Sequence, residues 1–170
     1  MSGSTALEAG VAREEDAARI AAYRTAAAMR LTEKYGIGHW SSPSSEKHVL
    51  RSMKSGRIVV ARNGAGVIGS LTLVTKKPWA IDASYFTPVL RPLYLLDMAV
   101  DPAAQGRGVG RFLLDEAERV AREWPAQALR LDAYDAPAGA GAFYAKCGYE
   151  ERGRVVYRGV PLIYYERLLA

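Results

Sequence analysis

A glycine-rich stretch flanked by arginines is the part of the sequence best suited to chemistry. It consists of Gln105, Gly106, Arg107, Gly108, Val109, Gly110 and Arg111, and it lies between an apolar run and an amphipathic run. At the start of a helix, backbone N–H groups converge and the helix dipole adds positive charge, so such a turn attracts anions. Glycines also remove the Cβ atoms that would keep an anion away from the backbone. The stretch therefore predicts a site for a phosphorylated ligand.

Three kinds of glycine-rich phosphate site can be compared with this stretch. The P-loop requires Lys followed by Ser or Thr after its last glycine, but Arg111 and Phe112 follow Gly110. The dinucleotide-binding fingerprint requires a glycine where Arg111 stands, and its first glycine comes directly after the strand. The third pattern, Gln/Arg-x-x-Gly-x-Gly/Ala, is matched by Gln105, Gly108 and Gly110. In this the chain resembles the GCN5-related N-acetyltransferases (GNATs), which hold the pyrophosphate of acetyl-CoA with that signature.

A second segment strengthens the resemblance to the GNAT family. The run from Phe143 and Tyr144 to Gly148 and Tyr149 is similar to the family's second signature, Phe-Tyr-x-Lys-x-Gly-Phe/Tyr, and it follows the first at the usual distance. One position departs from the pattern. Many relatives carry an asparagine that contacts the cofactor seven residues before the tyrosine, where this chain has Pro137.

The resemblance implies a fold, a cosubstrate and a set of contacts. The fold is the α/β acyl-CoA N-acyltransferase (GNAT) fold, with a mixed, mostly antiparallel central sheet flanked by helices, in one domain over residues 1–170. In it two strands, here Leu93–Val100 and Ala128–Tyr134, separate to leave a slot for the pantetheine arm of acetyl-CoA. The residues expected to bind acetyl-CoA are Met98, Ala99, Val100, Gln105, Gly106, Arg107, Gly108, Val109, Gly110, Arg111, Pro137 and Tyr144.

One tyrosine and two carboxylates are the candidates for acid–base catalysis of acetyl transfer. By the resemblance, Tyr144 occupies the position of the acid that protonates the departing thiolate, and a phenol with a pKa of about 10 is protonated at neutral pH. A main-chain N–H of Met98–Val100 is expected to stabilise the oxyanion. Asp132 aligns with a catalytic carboxylate of several relatives, and Asp97 is an acid in an otherwise apolar run. Either can be the base, a structural acceptor or a contact to the substrate ammonium, and water can replace both as the base.

The elements that position these residues are predicted from periodicity and turn signals. Helices are predicted over 14–35, 43–54, 109–123 and 138–146, the second with Ser42 as N-cap and Pro43 at its first position. Strands are predicted near 5–11 in a loose arm over 1–10, and over 57–62, 67–75, 93–100, 128–134, 154–158 and 162–168. A hairpin is predicted at Asn63-Gly64 and a loop over 76–92. The apolar run 93–100 predicts a strand buried on both faces, with Asp97 and Ala99 on one face and Met98 and Val100 on the other.

Composition and charge exclude several other classes of protein. With 170 residues, 49% hydrophobic and 24% charged, the chain suits one globular domain. Its net charge of +5 is dispersed, which disfavours a nucleic-acid partner, and its apolar runs are too short to span a membrane. One cysteine fits a reducing compartment, and His39, His48 and Cys147 lack the spacing of zinc ligands. Acidic residues near the N-terminus argue against a secretion signal, so a cytoplasmic protein without a metal is expected.

Three functions remain open on this basis. The first is an acetyl-CoA-dependent N-acetyltransferase acting on a primary amine of a small molecule or a peptide. The second is a non-catalytic module that binds coenzyme A on the same fold. The presence of Tyr144 argues against this module, and Pro137 argues for it. The third is a nucleotide-dependent oxidoreductase, disfavoured by the missing third glycine. The sequence does not identify the acceptor, and a homodimer, common in the family, is an alternative to a monomer.

Overall fold

Seven strands and four α-helices make up the part of the chain that the computed structural model describes, residues 6–64 and 66–169. The strands are β1 (Leu7–Val11), β2 (Arg57–Asn63), β3 (Gly66–Val74), β4 (Pro92–Val100), β5 (Ala128–Tyr134), β6 (Glu150–Tyr157) and β7 (Val160–Leu168). The helices are α1 (Ala17–Tyr35), α2 (Glu46–Ser55), α3 (Val109–Glu123) and α4 (Gly141–Lys146). Of the arm predicted over 1–10, residues 1–5 lie outside the described part.

The strands form one sheet in the order β1-β2-β3-β4-β5-β7-β6. The ladders β1–β2, β2–β3, β5–β7 and β6–β7 are antiparallel, and the ladder β4–β5 is parallel. The prediction of an α/β fold with a mixed, mostly antiparallel sheet flanked by helices is therefore confirmed. None of the helices in the described ranges is long and apolar enough to cross a membrane.

The chain divides into two units, of which the first comprises Met1–Leu73 and Asp97–Ala117. Its core is built by apolar side chains that recur at helical spacing on α1 and α2 and alternate on β2, among them Ile20, Tyr23, Val49, Ile58 and Val60. A short 3-10 turn precedes α1, and α1 ends at Gly36, where a φ of 85° favours glycine. The helix predicted over 14–35 is thus present in all but its first turn.

The second helix begins three residues later than predicted. Its N-cap is Ser45, whose side chain accepts a hydrogen bond from the N–H of His48 at 3.1 Å, rather than Ser42. The predicted start at Pro43 was wrong because a tertiary contact intervenes. The hydroxyl of Thr25 on α1 accepts from the N–H of Ser44 and donates to its carbonyl, which holds this segment outside the helix.

The second unit comprises Val74–Leu96 and Glu118–Ala170. Phe86, Tyr94 and Tyr164 pack in its core. A buried ion pair lies beside them, in which the guanidinium of Arg130 donates to the carboxylate of Glu166 at 3.1 Å. The same guanidinium also donates to a backbone carbonyl and to the hydroxyl of Tyr94, so all three of its nitrogens have partners.

The ends of several elements differ from the predictions in this unit. α4 begins at Gly141 rather than Ala138, because the preceding residues form a turn closed by a hydrogen bond from the N–H of Gly139 to Ala136 O. β6 and β7 are longer than predicted. They meet in a tight turn where Arg158 and Gly159 have φ values of 49° and 80°. The loop predicted over 76–92 contains a short 3-10 turn, Ala83–Tyr85.

The parallel ladder between β4 and β5 is short. It pairs Pro92–Tyr94 with Ala128–Arg130 and ends there, although β5 continues to Tyr134. The prediction that β4 is buried on both faces is correct only for residues 93–95. Asp97 is exposed, and the residues after it are half-buried. Two neighbouring strands that pair over only three residues agree with the separation of strands that the resemblance implies.

Candidate active site

The glycine-rich turn precedes α3 in the first unit and is exposed from Gln105 to Gly108. Gly106 and Gly108 have φ values of 76° and 80°, and a Cβ built on either would meet no atom within 4 Å. The space in front of the backbone is therefore open. Residues other than glycine are disfavoured at these two positions by the backbone conformation rather than by crowding.

Helix α3 begins directly after this turn. Its first intrahelical bond runs from Phe112 N to Gly108 O at 3.1 Å. The N–H groups that precede Phe112, such as those of Val109 and Gly110, have no acceptor within the helix. A helix start can therefore present these donors to an anion. Arg107 and Arg111 are exposed beside the turn and add positive charge.

The side chain of Gln105 ties the turn to the end of β4. Its amide donates to Val100 O at 3.2 Å. Asp101 then connects β4 to its neighbour, because its N–H donates to Ile68 O at 2.7 Å and its carboxylate accepts from Ala103 N at 3.1 Å. Gln105, predicted as a cofactor contact, thus also holds the turn against the end of β4.

Asp97 interrupts β4. Its φ of 52° lies in the left-handed region, which a residue other than glycine adopts rarely and at a cost. The predicted alternation, with Asp97 and Ala99 on one face and Met98 and Val100 on the other, assumes regular strand geometry, and the left-handed conformation of Asp97 interrupts that geometry. Although Asp97 stands in an apolar run, its side chain is exposed, and its Oδ2 atom lies 3.7 Å from His48 Nε2.

Tyr144 is buried in the second unit among aromatic rings. Its ring centroid lies 5.5 Å from that of Phe143, 5.8 Å from that of Tyr149 and 6.0 Å from that of Tyr165. Burial raises the pKa of the Tyr144 hydroxyl above its ordinary value, and the negative charge of Asp132 raises it further. The phenol is therefore protonated at neutral pH.

Asp132 lies on β5, paired in register with Tyr164 of β7. Its side chain is largely removed from water, and this desolvation raises the pKa of the carboxyl group. A carboxylate with a raised pKa accepts a proton more readily near neutral pH than an exposed one does. The structure thus brings two of the predicted catalytic residues, Asp132 and Tyr144, within electrostatic range of each other in one unit.

Pro137 is exposed in the turn between β5 and α4. This turn folds tightly back on the end of β5, since a Cβ on Gly139 would lie 1.9 Å from Tyr134 O. Proline has no N–H to donate. Any contact from Pro137 to a cofactor is therefore limited to packing and its carbonyl.

Comparisons with known proteins agree with this geometry. A family model described as the acetyltransferase (GNAT) domain matches residues 54–151, more than half of the chain. The chain belongs to the GNAT acetyltransferase family. A search of curated proteins found no match.

Solved structures share the GNAT fold over nearly the whole chain. An N-acetyltransferase from Staphylococcus aureus Mu50 aligns with a TM-score of 0.74 and 18% identity, over 98% of this chain and 100% of the other. The protein yncA from Salmonella typhimurium, whose structure includes its cofactor acetyl-CoA, has a TM-score of 0.69 and 17% identity, over 97% and 95%. A ribosomal-protein-alanine N-acetyltransferase from Brucella melitensis has a TM-score of 0.69 and 20% identity, over 95% and 99%.

One residue of this GNAT protein was missed by sequence reasoning. Arg24 of α1 is buried, and its Nε and Nη1 atoms have no hydrogen-bond partner. The signal was present in the sequence, because Arg24 lies four residues after Ile20 and four before Ala28, on the apolar stripe that predicts the buried face of the helix. Within the described ranges, no group of three or more His, Cys, Asp or Glu residues is arranged to hold a metal ion.

Proposed function

We propose that this GNAT protein transfers the acetyl group of acetyl-CoA to a primary amine of a small molecule or a peptide. The observation that carries the proposal is the open turn at the start of α3. Two glycines with positive φ leave free space in front of backbone N–H groups, as a pyrophosphate requires. The acetyl-CoA in the structure of yncA supports the choice of cosubstrate.

The residues of the turn fit the anionic part of this cosubstrate. The amides of Val109 and Gly110 would donate to pyrophosphate oxygens, and Arg107 and Arg111 would add charge. Because these two arginines are exposed, their contribution is screened by salt. Acetyl-CoA itself supplies an activated thioester, and the chemistry that remains for the protein is orientation, oxyanion stabilisation and proton transfer.

In the proposed reaction the neutral amine nitrogen forms a bond to the acetyl carbon, and the carbon–sulfur bond then breaks. A main-chain N–H of Met98–Val100, which directly follows the interruption of β4 at Asp97, would donate to the oxyanion. The hydroxyl of Tyr144 would give its proton to the departing thiolate and regain one from solvent. No covalent enzyme intermediate is needed.

The proton lost by the amine has to reach a base, and Asp132 is the proposed one. The support for Asp132 is the raised pKa of its carboxyl group and its electrostatic interaction with Tyr144, the proposed acid. Asp97 is exposed and is proposed instead as an electrostatic contact for the ammonium form of the acceptor.

The proposal is tested by measuring acetyl-CoA binding by calorimetry and thiol release from acetyl-CoA with a panel of primary amines. We expect binding, and thiol release that depends on one class of amine, with a mass increase of one acetyl group on that amine. Binding without turnover of any amine would support a non-catalytic coenzyme A-binding module instead. Binding of NAD(P) in place of acetyl-CoA would contradict both functions.

A further inference from the structure

Arg24 is a buried cation that pairs with no carboxylate of the residues that the structure describes. Its side chain leaves α1 on the helix face that packs on β3, and the residue is 8% exposed. Nε and Nη1 are buried and have no partner, and Nη2 reaches only Thr72 Oγ1, at 3.5 Å. A guanidinium binds a carboxylate through Nη2 together with either Nε or Nη1, so both of its binding edges include an unpartnered nitrogen.

The other buried charged groups in the described residues are all satisfied. Arg130 and Glu166 pair with each other. Asp16 accepts from Arg62 at 2.7 and 3.0 Å, and this bond holds the pKa of the Asp16 carboxyl below its usual range. Because a buried charge without a partner is costly, Arg24 stands apart from the other buried charged residues of the described ranges, since its guanidinium is incompletely hydrogen-bonded.

A second unpartnered group lies on the segment that contacts α1 beside Arg24. The hydroxyl of Ser44 is buried without a hydrogen-bond partner. Ser44 is held against α1 by two backbone hydrogen bonds to the hydroxyl of Thr25, the residue after Arg24. Unsatisfied polar atoms are thus contributed both by α1 and by the segment that connects it to α2.

The register of β3 and β4 relates the contact of Arg24 to the interruption of β4. The N–H of Asp101 bonds Ile68 O, and a Cβ on Gly69 would lie 3.3 Å from Ala99 O, so β3 and β4 run antiparallel in this unit. Continuing this register along both strands places Thr72, the contact of Arg24, beside Asp97. An unpaired cation and an exposed carboxylate therefore lie in one part of the first unit.

We propose that Arg24 binds the carboxylate of the acetyl acceptor, and that the acceptor is therefore an amino acid or another small amino-carboxylic acid. This inference rests on the proposed N-acetyltransferase function and adds its substrate class. The carboxylate would occupy the unpartnered edge of the guanidinium, and Asp97 would attract the ammonium group of the same molecule. Because Arg24 is buried, its ion pair with a carboxylate is stronger than one at the surface.

The experiment compares acids with their amides. Thiol release from acetyl-CoA is measured for each of the twenty L-amino acids and its carboxamide, with the wild-type protein, Arg24→Met and Arg24→Lys. Arg51→Met is the matched control, because it removes the same charge from an exposed position of α2. Melting temperatures of all four proteins are measured in the presence of coenzyme A, without and with the same ligands.

We expect the wild-type kcat/KM for the preferred acid to exceed that for its amide by about 10- to 100-fold, the usual effect of a charged hydrogen bond. Arg24→Met should remove this preference by lowering kcat/KM for the acid to about that for the amide, and Arg24→Lys should retain part of it. Arg24→Met should melt at the same temperature as the wild type or higher, because it removes an unpaired buried charge. Arg51→Met should behave as the wild type.

Equal wild-type turnover of acids and amides would overturn the inference without touching the proposed function. A lower melting temperature of Arg24→Met, with equal loss of activity on acids and amides, would show that Arg24 is structural. If no amine is acetylated, the proposed function fails, and the melting temperatures still decide the inference. Stabilisation of the wild type by an acid but not its amide, absent in Arg24→Met, would support it, and no such difference would contradict it.

Discussion

Replacing Tyr144 with phenylalanine tests the proposed proton donor and separates catalysis from packing. Tyr144 is 7% exposed, and its ring has three aromatic neighbours with centroids within 6.0 Å. Phenylalanine keeps this ring and its contacts and removes only the hydroxyl. We therefore expect a large kinetic effect together with a small effect on stability.

The two magnitudes can be worked out separately. Loss of one positioned acid lowers kcat by about 10²- to 10⁴-fold. This equals about 3–5 kcal/mol in the activation free energy. Removal of the hydroxyl lowers the free energy of unfolding by at most about 1 kcal/mol, the usual contribution of one hydrogen bond. In a chain of this length that corresponds to a fall of about 2–4 °C in Tm. Affinity for coenzyme A should be nearly unchanged.

Tyr149 provides a matched control from the same aromatic cluster. It is also buried, but its hydroxyl has no hydrogen-bond partner. Tyr149→Phe removes an unsatisfied polar atom, so we expect an unchanged or higher Tm and an unchanged rate. The assay is steady-state thiol release with the preferred amine, with Tm measured by calorimetry.

The pH profile gives a second readout for Tyr144. Because burial raises the pKa of this hydroxyl, the wild-type rate should not decline below pH ~10, the ordinary pKa of tyrosine. A loss of less than about threefold in Tyr144→Phe, well below the usual effect of a positioned acid, would refute the assignment. An equal loss in Tyr149→Phe would show that the cluster acts through packing.

Three further substitutions test the remaining parts of the site. Gly108→Val should abolish coenzyme A binding in calorimetry, whereas Gly159→Val, at a glycine with the same φ of 80° and equally open surroundings, should bind normally. Normal binding by Gly108→Val would contradict the placement of the pyrophosphate. Desolvation raises the pKa of Asp132, so the folded state binds more protons than the unfolded state between the two pKa values, and stability falls as pH rises through that window. Asp132→Asn should therefore have a higher Tm than the wild type at pH 7, and this difference should be lost at a pH below the unfolded pKa of about 3.9. The rate of Asp132→Asn should recover partly at high pH, where free amine is abundant. An unchanged rate at pH 7 would exclude Asp132 as the base. Asp97→Asn should raise KM for the amine by about two- to fivefold with little change in kcat, since an exposed charge contributes modestly; a fall in kcat alone would assign the proton transfer to Asp97.

The sequence by itself was sufficient for features that depend on local chemistry. The boundaries predicted for α3 and β5 are those observed. Apolar residues at helical spacing before Pro125 identify α3, and the strand pattern identifies β5, in both cases without reference to the rest of the chain. The glycine-rich turn at Gly106 and Gly108 was equally readable, since positive φ is what glycine permits and other residues resist.

The tertiary structure alone decided features that depend on what packs against a residue. Ser45 rather than Ser42 caps α2 because Thr25, distant in sequence, holds the segment between the two helices. The left-handed conformation of Asp97 was not predicted either, since its sequence neighbours indicate a regular strand. Arg24 shows the same division. The sequence places it on the buried face of α1, but only the packed structure shows that, among residues 6–64 and 66–169, no carboxylate pairs with it, because the partners of a buried charge are brought together by folding.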